Sequence, residues 1–177
     1  MTQRSSKSLL GALVFGFAAG LGGAVAMDRF MSLSGRCREV DHSLPYSEQE
    51  WDATSRIANS TALWMTGRNL SRRELKKGAE LVHYATAGIA GSLYGAMVYR
   101  SRAIVQSRIL SGLVGLGFGV SVWYLGNELF LPALSVLKRE DYTASMRTDA
   151  LVAHIVYGVV TALACHQLME TSPKVNR

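Results

Sequence analysis

The chain has 177 residues, a formal net charge of +6 and a mean hydropathy of +0.14, a length that fits one domain and not a catalytic domain beside a regulatory one. The near-neutral average hides segregated charge. The stretches Ser8–Met27, Leu81–Tyr99, Ile109–Leu137 and Ala150–Met169 hold 88 residues and a single Asp, Glu, Lys or Arg, namely Glu128. A soluble helix needs a charged face and these have none, which argues against a soluble enzyme, a disordered chain, a disulfide scaffold and a nucleic-acid module.

The first stretch follows Arg4 and Lys7, and its Ala24-Val25-Ala26 resembles a signal-peptidase site. Its uncharged run is longer than the usual signal core of roughly 7–15 residues, so retention as a membrane helix is expected. The polar stretch Asp28–Glu80 follows. Within it Ser47–Arg68 reads as an amphipathic helix with Trp51, Ala58, Ala62 and Met65 on one stripe. Trp51 and Trp64 suit a membrane interface. Ser71 and Glu74 form a capping-box pattern that starts the next helix, and Lys76 and Lys77 can snorkel to headgroups.

The third apolar stretch is interrupted by Pro132, so its spanning part is expected at Ile109–Phe130, with Leu131–Leu137 at the interface. The connections Arg100–Arg108 and Lys138–Asp149 are short, which favours antiparallel neighbours. The pattern predicts an all-α, integral membrane four-helix bundle with an amphipathic interfacial helix between helices one and two. It forms a single membrane domain over residues 1–177, with spans at about 8–27, 80–99, 109–130 and 150–169 and a polar, interfacial segment at 28–79.

Basic residues flank the apolar segments, so membrane lipids with anionic headgroups are the expected counter-surface, not nucleic acid. Seven Lys and Arg fall on the side of the N-terminus and twelve on the other, which favours the second as cytoplasmic. Cys37 and Cys165 are too few and too separated for a disulfide framework.

Lipid gives helices no hydrophobic reward for touching, so close packing must supply the attraction. Gly16, Gly20 and Ala24, then Gly91 and Gly95, then Gly115 and Gly119 repeat small residues at four-residue spacing. Such faces serve packing inside the bundle or a homo-oligomer, or a substrate path against glycine backbone. The expected partners beyond lipid are a homo-oligomer or a membrane complex.

Helix direction places Asp28, His83, Glu128 and His154 near the same membrane face. Helical spacing gives each a small or polar stripe: Gly16, Gly20 and Ala24 for Asp28, and Thr86, Ala87, Ala90 and Tyr94 for His83. Glu128 shares its stripe with Gly117, Ser121 and Tyr124, and His154 with Tyr157, Gly158, Thr161 and Cys165. These stripes should face inward, because ionisable residues in membrane helices are costly and usually turn to the bundle interior. Asp28, His83, Glu128, His154 and Tyr157 thus form a candidate polar cluster. It reads as a hydrogen-bonded cap, as a titrating group, or as ligands for zinc, another transition metal or haem. No cofactor is predicted. His166 lies towards the other face without an obvious partner, and Cys37, Asp41 and His42 are a weak loop pattern. No nucleophile with its base, phosphate-cradling loop or zinc-protease motif appears, so an enzyme is not expected. Each half also has a helix ending in an acid, Asp28 or Glu128, before one beginning with a histidine, His83 or His154, a faint parallel repeat.

The chain resembles the YagU-like family of bacterial inner-membrane proteins, whose biochemical function is not known. The resemblance rests on the small-residue first helix running into Met27-Asp28-Arg29-Phe30, and on His83-Tyr84 followed by Gly88, Gly91, Tyr94 and Gly95. It continues with Trp123, Asn127-Glu128 and Pro132-Ala133-Leu134, and ends with His154-Ile155-Val156-Tyr157-Gly158. It spans about Leu10 to Ala164 and is weakest over Gly35–Gln49; Asn127 stands where relatives would carry an acid. It implies a multi-pass bacterial inner-membrane protein and no reaction. The sequence thus points to an inner-membrane protein with a proton-responsive polar layer near one membrane face. The alternatives are a metal- or haem-binding redox protein and a structural subunit of a membrane complex.

Overall fold

The computed structural model describes residues 2–33, 53–133 and 144–171. In chain order the elements are α1 (Thr2–Leu33), α2 (Ala53–Thr66), α3 (Arg72–Val98), the short α4 (Arg102–Gln106), α5 (Arg108–Trp123), a π-helical segment (Tyr124–Phe130), α6 (Leu131–Ala133) and α7 (Ala144–Thr171). The π-helical segment and α6 prolong α5 without a break.

The four-helix membrane bundle expected from the sequence needs correcting. The described residues form an all-α bundle of five substantial helices, α1, α2, α3, the prolonged α5 and α7. Three of these are long and apolar enough to cross a membrane: Leu9–Leu33, Arg108–Ala133 and Arg147–Thr171. The expected span at 80–99 falls in α3, which has the length but not the apolar content. Its first turns carry Arg72, Arg73, Glu74, Lys76 and Lys77. Its later turns are diluted by His83, Tyr84, Thr86, Ser92, Tyr94 and glycines.

Four of the five helices form two antiparallel pairs, α1 with α3 and α5 with α7, which join where α1 packs on α7, and α2 packs on α3. In the first pair Ala12 faces Gly95, Gly16 faces Gly91, and Gly20 faces Ala87 and Gly91. A Cβ on Gly16 would strike the Gly91 carbonyl, and one on Gly91 would strike that of Gly16. Backbone lies on backbone here, and no flexible side chain could yield. The Ser92 hydroxyl donates to the Leu13 carbonyl at 3.0 Å along the same seam. In the second pair Gly115 meets Gly158 and Ala162, while Gly119 meets the backbone of His154 and Ile155. Gly23 of α1 rests on Tyr157 and Thr161 of α7 and closes the middle joint.

A buried cluster of Ala12, Ala19, Tyr94, Val98, Ala162, Cys165 and Met169 fills the end of the bundle away from Asp28. The outward positions are apolar as well: Leu10, Leu93, Ile109 and Leu113 are each more than 60% exposed. Faces of this kind are rare on water-exposed monomers and normal against lipid. The chain is a helical protein with several candidate membrane-spanning helices, as a multi-pass membrane protein would have.

The prolonged α5 does not stop at Pro132. Proline has no N–H to donate to the Glu128 carbonyl, and the ladder there shifts to a longer step. The Leu131 N–H donates to the carbonyl of Gly126, five residues back, and the helix runs on to Ala133.

Candidate functional site

Asp28 lies in the last turns of α1, where the antiparallel register brings α3 alongside. Its Oδ1 is 3.3 Å from His83 Nε2, and its Oδ2 accepts a 2.7 Å hydrogen bond from the Tyr84 hydroxyl. His83 and Tyr84 are consecutive, so their side chains leave the helix about 100° apart and flank the carboxylate from two directions. Their rings meet edge to face at a centroid distance of 5.2 Å. His83 Nε2 is buried and has no aligned hydrogen bond; the Asp28 carboxylate is its ionic neighbour. The contact is an ion pair only when the imidazole is protonated.

Glu128 is held elsewhere. Its Oε2 accepts from Arg147 Nη2 at 3.1 Å, with the glutamate side chain 14% exposed and the arginine side chain 40% exposed. Arg147 lies seven residues before His154 on α7, about 10 Å along the axis. The structure therefore brings Asp28 and His83 together and holds Glu128 at a more outward level, paired with Arg147. His154 lies on α7, two turns inward of Arg147. Its Nδ1 contacts the Ala150 carbonyl of its own helix at 2.7 Å, and the ring is an electrostatic neighbour of His83.

Tyr157 lies deeper. Its buried hydroxyl donates to the Ala87 carbonyl of α3 at 2.7 Å, fastening α7 to the first pair. Phe118 stands between Tyr94 and Tyr157, with centroid distances of 4.9 and 6.1 Å. His166 does have a neighbour, Glu170 one turn on, at 3.5 Å.

Two of the expected inward stripes are inward, and the His83 stripe is so only at Tyr94, with Thr86 exposed and Ala87 and Ala90 half-buried. Gly16, Gly20 and Ala24 are buried, as are Tyr157, Gly158, Thr161 and Cys165. The Glu128 stripe is not inward. Gly117 has nothing near it, and Ser121 and Tyr124 are exposed. In unbroken α-helix Glu128 would share that outer face. The π-helical segment holds more residues per turn, so the side chains lag, and Glu128 turns back towards α7.

Sequence reasoning missed two partners, Tyr84 and Arg147. Tyr84 adjoins the histidine already singled out. Arg147 is the basic residue that opens the apolar run following Glu128, a position that could have flagged it. Among the described residues no three His, Cys, Asp or Glu side chains converge as a metal-binding group. The loop pattern of Cys37, Asp41 and His42, and Trp51, lie outside the described residues. Comparison with protein families, with curated proteins and with solved structures finds no match for the chain.

Proposed function

We propose that this chain is a multi-pass membrane protein of the YagU-like kind whose polar contacts near one membrane face respond to protons, with Asp28 and His83 as the responsive pair. The observation that carries the reading is the 3.3 Å approach of a buried imidazole nitrogen to a carboxylate on the neighbouring helix. Histidine is the side chain that changes charge between about pH 5 and 8. Protonation converts the approach into an attraction between α1 and α3; loss of the proton removes it. The imidazole lies beside Asp28 on α1 and Tyr84 on its own helix, with His154 on α7 an electrostatic neighbour, and Glu80 and Arg29 act on Tyr84. A protonated His154 would oppose a charge on His83. A bacterial inner membrane is the setting the sequence resemblance implies.

The test compares thermal unfolding of the full chain in bilayer nanodiscs with that of His83→Gln. Relative to the variant, the wild type is expected to lose stability as pH rises from about 5 to 8, as the imidazole gives up the charge that Asp28 attracts. The variant is expected to show a flatter profile. Identical profiles would remove the reading.

A second reading, a subunit of a homo-oligomer or larger membrane complex, draws on α5. Only 17% of its candidate span is buried, against 33% for those of α1 and α7. Its outer row of Ile109, Leu113 and Leu116 is exposed. Cross-linking between cysteines placed on that row would support it, and a strictly monomeric protein in nanodiscs would count against it.

A further inference from the structure

Beside the two helix pairs, α2 and α3 meet in a tied elbow. Gly67 takes a positive φ of 71° just after α2, and its N–H donates to the Leu63 carbonyl at 2.9 Å, turning the chain. Asn59 then clamps the return: its Nδ2 donates to Asn69 Oδ1, and its Oδ1 accepts from the Leu70 N–H, both at 2.9 Å. Arg68 grips Glu74 with two parallel hydrogen bonds of 3.0 and 2.8 Å. The same carboxylate accepts from the Ser71 N–H at 2.9 Å and from its hydroxyl at 2.7 Å. The Arg68 guanidinium holds the Glu74 carboxyl well below the usual carboxylate range. The negative charge of Glu74 is therefore taken up inside the elbow.

Two features are left facing outward. Leu63, Trp64 and Met65 at the end of α2 are exposed, Trp64 by 87%. On the first turns of α3, Arg72, Arg73, Lys76 and Lys77 are exposed and, with Glu80, line a groove of about 530 Å³. Among the described residues four cations and one acid line it. The pairing of Ala12, Gly16 and Gly20 with Gly95, Gly91 and Ala87, continued along both helices, sets Lys76 and Lys77 level with Met31 and Phe30. That is the last turn of the candidate span ending at Leu33, the depth of lipid headgroups.

We propose that the α2–α3 elbow is a docking surface for the headgroups of anionic lipids, with the cations of α3 on the phosphates and Trp64 seated beside them at the interface. The inference rests only on the candidate span of α1 crossing the bilayer, and not on any proton response. Charge complementarity selects an anionic partner. The apolar tip and the depth select a bilayer over a soluble one, because a free anion would leave Trp64 and Met65 in water.

Native mass spectrometry of the full chain, titrated with phosphatidylglycerol or with phosphatidylcholine of the same acyl chains, reads this directly. The wild type is expected to bind phosphatidylglycerol more tightly. The triple variant Arg73→Gln, Lys76→Gln, Lys77→Gln is expected to lose about fivefold in that preference per charge removed. The charge-keeping variant Arg73→Lys, Lys76→Arg, Lys77→Arg is expected to retain it, which separates lost charge from lost fold. Equal binding of the two lipids by the wild type would overturn the proposal, as would an unchanged preference in the triple-Gln variant. Displacement of the lipid by inorganic phosphate alone would overturn the headgroup assignment.

Discussion

In the α1–α3 pair the acid near the end of the first helix, Asp28, meets a histidine; in the α5–α7 pair the corresponding acid, Glu128, meets an arginine. Both pairs are antiparallel, and both close on glycine seams where backbone touches backbone. The cations differ in kind. Arginine keeps its charge at every physiological pH, whereas histidine gains and loses it. The helices differ too: α1 is regular α-helix throughout, while the prolonged α5 reaches its arginine through a π-helical segment. On the reading proposed above, one plan carries a permanent tie in one half and a switchable one in the other.

The largest expected effect lies in the seams the halves share. Gly91→Val would drive a branched side chain into the backbone of Gly16 and Gly20, and Gly119→Val would do the same against His154. Each should lower stability by about 1–3 kcal/mol or more, measured as thermal unfolding in nanodiscs. Gly22→Ala, with nothing within 4 Å of its Cβ, is the control; it should be neutral or raise stability by up to about 1 kcal/mol through helix propensity. If only one seam responds, the two pairs are not built alike.

The permanent tie comes next. Arg147→Gln leaves Glu128, its side chain 14% exposed, without its guanidinium. Because Arg147 itself is 40% exposed, the expected loss is about 1–2 kcal/mol, below that of a fully buried pair. Thermal unfolding at pH 6 and pH 8 should show the same loss at both. A loss confined to one pH would erase the contrast between the halves.

The smallest effect concerns the elbow that only the first pair carries among the described residues. The folded-state pKa of Glu74 is depressed, chiefly by Arg68, so its contribution is present above the unfolded carboxylate range and is lost as pH falls towards the folded value. Glu74→Gln should therefore lower the unfolding midpoint at pH 7, and the gap from wild type should shrink below about pH 4. A gap that persists in acid would mean that shape, not charge, ties the elbow.

Much of the helical plan was legible because charge is absent from long stretches. The helices holding Ser8–Met27, Ile109–Phe130 and Ala150–Met169 could be read from that alone. The stretch at 81–99 misled for the same reason: it lacks charge, yet His83, Tyr84, Ser92, Tyr94 and its glycines keep α3 from the apolar content of the other three. Asp28 and His83 could be matched by depth because both lie in regular α-helix. Glu128 could not, since counting faces from Gly117 assumes an α-turn throughout and the π-helical segment breaks that count. Pro132 was the visible sign. A proline reads equally as a stop or as a shift in the ladder, and only packing against α7 decides between them.

The central contrast is tested most directly by the pH profile of thermal unfolding for Asp28→Asn set beside that of Glu128→Gln, both as full chains in nanodiscs. The account predicts that Asp28→Asn abolishes the fall in midpoint between about pH 5 and 8, and that Glu128→Gln lowers the midpoint but keeps the fall. A profile flattened by Glu128→Gln and untouched by Asp28→Asn would contradict it.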